Sequence, residues 1–281
     1  MSLPNLPTPL VSVAWLNSHL QDESLVILDA TLPKAGTKEI PLPGQRIPGS
    51  RFFEIKGAFA DPNHAVKGML PSPEQFSRAA QALGIHADST LVVYDGHGNY
   101  SASRAWWMFR AMGHTRVAVL DGGVPAWIEE GLPTATLDEG PFEPGDFVAT
   151  PLPNRTITGK EVLAKHTDTH IAVLDARGAG RFNATAPEPR PELRGGHIPG
   201  AINVPYTSLQ DNGKMLPLEE LEDIFSDLPI QGKSLILSCG SGVTACVIEL
   251  AAELVDLPNV TTLYDGSWSE WGLPSDFPVE K

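Results

Sequence analysis

The residues best placed to do chemistry are Cys239-Gly240-Ser241-Gly242-Val243-Thr244. An apolar run over 235–238 leads into them, and Val243, Val247, Leu250 and Leu254 then recur at helical spacing. The cysteine therefore stands at a strand-to-helix turn, the place where open α/β sheets bind ligands. Two glycines let the loop curl so that backbone N–H groups point inward. The start of the helix adds partial positive charge. A thiol there is expected to ionise below its ordinary value of about 8.5 and to act as a nucleophile.

Such a loop fits three chemistries. A phosphatase cradle needs an arginine six residues after the cysteine, where this chain has Ala245. A dinucleotide-binding turn matches only weakly, because it does not begin on a cysteine. What remains is a thiolate in a ring of N–H donors, suited to holding an anionic persulfide. Ser241 adds a hydroxyl beside it, while Cys246, one turn into the helix, is expected to be a packed core residue.

The elements that must position this loop occur twice. Asp95-Gly96 recurs as Cys239-Gly240, Asp121-Gly122 as Asp265-Gly266, and Trp127 as Trp271, each 144 residues later. Asp29-Ala30 recurs as Asp175-Ala176 and Ile47-Pro48-Gly49 as Ile198-Pro199-Gly200. Landmarks that keep their order at nearly constant spacing mark a duplication. Short runs rich in Val, Ile and Leu (91–94, 117–120, 171–174, 235–237) alternate with helical patterns, as strands buried on both faces of a parallel sheet do. The expected fold is α/β: two tandem domains, each a mostly parallel sheet flanked by helices. The first spans 1–138, a Pro/Gly-rich linker 139–153, and the second 154–281. In the first half Asp95 stands in the cysteine's place, so that half is expected to be catalytically inactive, lending stability and a wall to the cleft.

Composition narrows the partners. The 281 residues are 42% hydrophobic, enough for full cores, and carry a net charge of −14. Such acidity disfavours nucleic acid and anionic membranes, so an anionic substrate must be captured by local cations. Two cysteines make neither a disulfide framework nor a four-cysteine zinc site. His166 and His170 lack the context of a metal pair. No secretory signal is read in Met1 to Pro7, and no apolar run suffices for a membrane span, so a reducing cytoplasm is expected.

The loop Cys239 to Thr244 resembles the active-site loop of 3-mercaptopyruvate sulfurtransferases, within the rhodanese superfamily. The likeness extends to Arg177, Arg181-Phe182, Glu188-Pro189-Arg190, Gly196-His197-Ile198-Pro199-Gly200-Ala201 and Tyr264-Asp265-Gly266-Ser267-Trp268. Thiosulfate-specialised rhodaneses are similar but usually carry basic residues directly after the cysteine, where this chain has Gly240 and Ser241. The resemblance implies that Cys239 takes sulfur from 3-mercaptopyruvate as a persulfide, releases pyruvate and passes the sulfur to cyanide, a thiol or thioredoxin. It implies no metal or organic cofactor.

By the same resemblance Arg181 and Arg190, in an irregular segment over 178–196, bind the substrate carboxylate, with Arg194 a further candidate. Ser241 would help the departing enolate. Related eukaryotic-type enzymes pair that serine with a histidine and an aspartate of the first domain; Asp61 matches the acid, but Gly68 stands where the histidine would be, and His64 is off position. Tyr100, in the loop after Asp95, is either a pocket residue or an ordinary loop tyrosine. The competing readings are a thiosulfate sulfurtransferase and a non-catalytic binding module that kept the fold.

Overall fold

The computed structural model describes residues 6, 8–137 and 140–281. Met1 to Asn5, Pro7 and the junction 138–139, where the sequence places the end of the first domain, lie outside the described residues. The chain divides into two compact units. One comprises Met1–Lys34, Lys38–Leu152 and Asn212–Lys214; the other comprises Ala35–Thr37, Pro153–Asp211 and Met215–Lys281.

Each unit is built on a five-stranded parallel sheet of the same topology. In the first the strands lie in the order Leu10–Val11, Val117–Leu120, Thr90–Tyr94, Leu25–Asp29, Arg51–Phe52. In the second the order is Thr156–Ile157, Thr261–Tyr264, Ser234–Ser238, Ile171–Asp175, Ile202–Asn203. Register follows the duplication: Asp29 pairs with Tyr94, and Asp175 with Ser238. The strand Thr90–Tyr94 is buried along its whole length, which is why it reads as a continuous apolar run rather than an alternating one.

Helices cover the sheets. In the first unit the helix Ala102–Ala111 buries both Trp106 and Trp107, core aromatics as their helical setting suggests. Phe53, Phe59, Phe76, Phe109 and Phe147 pack edge-to-face and stacked against one another. In the second unit Tyr264, Trp268 and Trp271 pack with Ile157, Val173 and Ile236. Among the described residues, no helix is long and apolar enough to cross a membrane.

Two local expectations change. The helix after the cysteine begins at Ala245, so Val243 belongs to the loop and not to the helical face. Gly242, at φ +70°, delays the helix start. The segment 178–196 is not wholly irregular: Ala179–Phe182 forms one helical turn, which lifts Arg181 onto a defined frame.

Candidate active site

The thiol of Cys239 is buried, with 1% of the residue exposed, and it is a free cysteine. It follows directly on the strand Ser234–Ser238. Of the two loop glycines, only Gly242 uses the left-handed region; Gly240 is needed for a different reason. A Cβ built on Gly240 would lie 3.1 Å from Nη2 of Arg181, so the guanidinium packs where a side chain would otherwise stand. A basic residue after the cysteine is thereby replaced by an arginine reaching in from another element.

Ser267 stitches the loop to the neighbouring turn. Its Oγ accepts the N–H of Cys239 at 3.1 Å and of Gly242 at 3.2 Å, and donates to the Tyr264 carbonyl at 2.8 Å. Ser267 sits at φ +46°, an unusual conformation for a residue with a side chain. The first unit shows why it is adopted. Gly123 matches Ser267 and has φ +56°, and a Cβ there would lie 2.3 Å from the Asp95 carbonyl. The turn geometry is inherited, and the second unit has room for a hydroxyl that secures the loop. Above this turn, burial raises the phenol pKa of Tyr264 well beyond its ordinary range, with the Glu270 carboxylate adding to the effect.

The four arginines of this region take different roles. Arg177 is fully buried: it pairs with Asp175 at 2.7 Å and Glu188 at 3.0 Å, donates to the Gly196 carbonyl, and lies 4.1 Å over the Trp268 ring. Its charge is spent internally. Arg181, with 23% of its side chain exposed, shares Glu188 through Nη2 at 2.6 Å, so the buried glutamate aims it across Gly240. Arg190 is exposed, and its Nη2 donates to Ser269 Oγ at 2.6 Å.

Arg194 is turned away from the loop's chemistry. Its guanidinium donates to the carbonyls of Trp271 at 2.8 Å and Phe277 at 3.0 Å, fastening the chain that follows the helix Ser267–Trp271. Cys246 is buried and donates to the Gly242 carbonyl at 3.4 Å. Ser241 is half-buried beside the cysteine, and no described acceptor takes its N–H or that of Thr244.

The first unit holds its own version of the loop, filled from within. The buried Asp95 carboxylate accepts four backbone N–H groups: His97, Tyr100 and Ser101 at 2.7 Å and Ala102 at 2.8 Å. Tyr100 sits in this cradle by its backbone, with its ring edge-on to His97. Asp61 accepts the Asn63 N–H in a local turn. Gly68 adopts φ +88°, a conformation that a histidine would strain to reach. His64 bonds only to Val66 among the described residues, so it supplies no relay partner to Asp61.

The profile of the rhodanese-like domain matches this chain twice, over residues 12–130 and 158–273. The chain belongs to the rhodanese family. Both rhodanese units are thus covered, and curated relatives extend over the whole pair. A protein named 3-mercaptopyruvate sulfurtransferase from Escherichia coli K12 is 42% identical over 277 residues, covering 96% of this chain and 97% of the relative. One of the same name from Rattus norvegicus is 40% identical, covering 96% and 94%. A thiosulfate sulfurtransferase from the same animal is also 40% identical, covering 93% and 91%. The crystal structure of the 3-mercaptopyruvate sulfotransferase SseA from Escherichia coli superposes with a TM-score of 0.82 at 38% identity, covering 94% of this chain and all of that one.

Sequence reasoning names Cys239, Ser241, Arg181 and Arg190 as site residues, whereas Ser267 and Glu188 enter only within motifs with no role assigned and Ser269 is not singled out. For Ser267 a signal was present: the 144-residue offset sets it opposite Gly123, a glycine opposite a serine in an otherwise preserved turn.

Proposed function

We propose that the chain transfers sulfane sulfur from 3-mercaptopyruvate to a thiophilic acceptor through a persulfide on Cys239. The Cys239 thiolate attacks the substrate sulfur. The S–S bond forms as the C–S bond breaks, and the electron pair leaves on carbon as the pyruvate enolate, which takes up a proton. Ser241 is the hydroxyl beside the cysteine that donates to this enolate. An acceptor thiolate or cyanide then attacks the outer sulfur, regenerating the Cys239 thiolate. A small thiol, cyanide or reduced thioredoxin meets that requirement, and two free thiols suit a reducing compartment such as the cytoplasm.

The single observation that carries this reading is the comparison between the two loops. An Asp95 oxygen and the outer sulfur of a Cys239 persulfide each stand two bonds from Cβ. Asp95 therefore displays an anion held where the persulfide would be held. Three of its four donors, at 97, 100 and 101, correspond to Ser241, Thr244 and Ala245 by the 144-residue offset, while the fourth, at 102, corresponds to Cys246, whose N–H is taken by the Val243 carbonyl. The first domain (1–138) keeps the cradle closed with its own carboxylate, and beyond a linker (139–153) the second (154–281) leaves it to the transferred sulfur.

Donor choice follows from the cations. Arg181 and Arg190 offer guanidinium donors to the carboxylate of a 2-oxo acid. Gly240 itself carries no basic side chain for the thiosulfate dianion, and the guanidinium that reaches over it, Arg181, is already half neutralised by Glu188. Steady-state assays with both donors should give kcat/KM for 3-mercaptopyruvate at least about tenfold above that for thiosulfate. A preference for thiosulfate would instead place the chain with the thiosulfate sulfurtransferases.

A further inference from the structure

We propose that Ser269 is a positioning residue that fixes the guanidinium of Arg190 relative to the cysteine loop, and so sets how tightly the donor carboxylate is bound. This rests on Arg190 being a donor-binding residue, as proposed above. Ser269 is buried, with 3% exposed, and meets Gly240 twice: its N–H donates to the Gly240 carbonyl at 2.9 Å and its Oγ donates to the same oxygen at 2.6 Å. A serine hydroxyl has one proton, so with that proton given to Gly240 its oxygen is left as an acceptor. Arg190 Nη2 donates to it at 2.6 Å.

The arrangement is directional and neutral. Arg190 is exposed and lies between Pro189 and Pro191, and among the described residues its guanidinium makes this hydrogen bond alone. Without an anchor, the arginine would lose rotamer freedom each time substrate bound. Arg181 is anchored by Glu188, a carboxylate that offsets part of its charge, whereas Ser269 orients Arg190 without neutralising it. The anchor point is also well chosen, because the Gly240 carbonyl is one residue from the thiol. The first unit has Pro125 at the matching place, which offers neither a hydroxyl nor an N–H, in keeping with a loop that binds no donor.

The test is a kinetic cycle on the full chain with Ser269→Ala, Arg190→Ala and the double variant. Ser269→Ala is expected to raise KM for 3-mercaptopyruvate about five- to tenfold while kcat falls less than about twofold, the cost of ordering an unanchored arginine on binding. The double variant should bind no more weakly than Arg190→Ala alone, because the serine acts through the arginine. The pH profile of Cys239 alkylation by iodoacetamide should match that of the parent protein, and Ser269→Thr should restore KM. If Arg190→Ala raises KM and Ser269→Ala does not, or if the two effects add, the coupling is wrong. A shifted alkylation profile in Ser269→Ala would mean that the serine acts on the loop instead, which also overturns the proposal. An Arg190→Ala enzyme with unchanged KM would remove the donor-binding reading itself, and this inference with it.

Discussion

Cys239→Ser is expected to reduce sulfur transfer to background, a loss on the order of a thousandfold or more, while Cys246→Ser stays within about twofold of the parent enzyme. The two thiols differ in what surrounds them. Cys239 follows the last strand residue and faces a loop in which the N–H groups of Ser241 and Thr244 have no described protein acceptor. An oxygen in its place is not a sulfur nucleophile and makes no persulfide. Cys246 lies inside the helix Ala245–Leu254, fully buried, with its thiol on the Gly242 carbonyl. A serine there can make the same bond at a modest cost in packing, on the order of 1 kcal/mol. Equal losses in both variants would mean that the loop, rather than one sulfur, was being damaged.

The second large effect is on stability. Asp95→Ala should cost about 3–5 kcal/mol, read by denaturant or thermal unfolding of the first unit. Its carboxylate takes four N–H groups at 2.7–2.8 Å in a fully buried position. Hydrogen bonds to a charged group are worth about 1.5–3 kcal/mol each, and they are not additive because water enters as the side chain leaves. For a unit of this size the loss corresponds to roughly 10 °C in melting temperature. Formate should recover part of it by filling the emptied cradle with a free carboxylate. A shift below about 1 kcal/mol would show that the loop closes without its anion, and would remove the parallel drawn between Asp95 and a persulfide.

Much of this organisation is legible in the residues themselves. The constant offset exposes the duplication, and the apolar runs around 91–94 and 235–237 become the central strands Thr90–Tyr94 and Ser234–Ser238. Such strands are buried on both faces, so their pattern depends on little else. Less legible is anything that depends on which groups meet in space. Arg194 lies in the same segment as Arg190, four residues on, yet one fastens the carbonyls of Trp271 and Phe277 and the other reaches Ser269. Spacing along a loop does not distinguish them. From the sequence alone Gly240 is expected for its backbone freedom, whereas in the structure it admits the close approach of Arg181. Glu188 stands out in the sequence only as part of a motif, because a carboxylate shared by Arg177 and Arg181 is a tertiary fact. The departure at Gly68 is visible in the sequence, and the φ of +88° adds that its backbone is shaped for glycine.

The most direct measurement is mass spectrometry of the intact and digested protein after treatment with 3-mercaptopyruvate, under non-reducing conditions and with no acceptor present. One added sulfur should appear, confined to the peptide carrying Cys239, with pyruvate released in equal amount; a thiol acceptor should remove that sulfur. A bare Cys239 thiol alongside released pyruvate, or sulfur carried on Cys246, would contradict the mechanism.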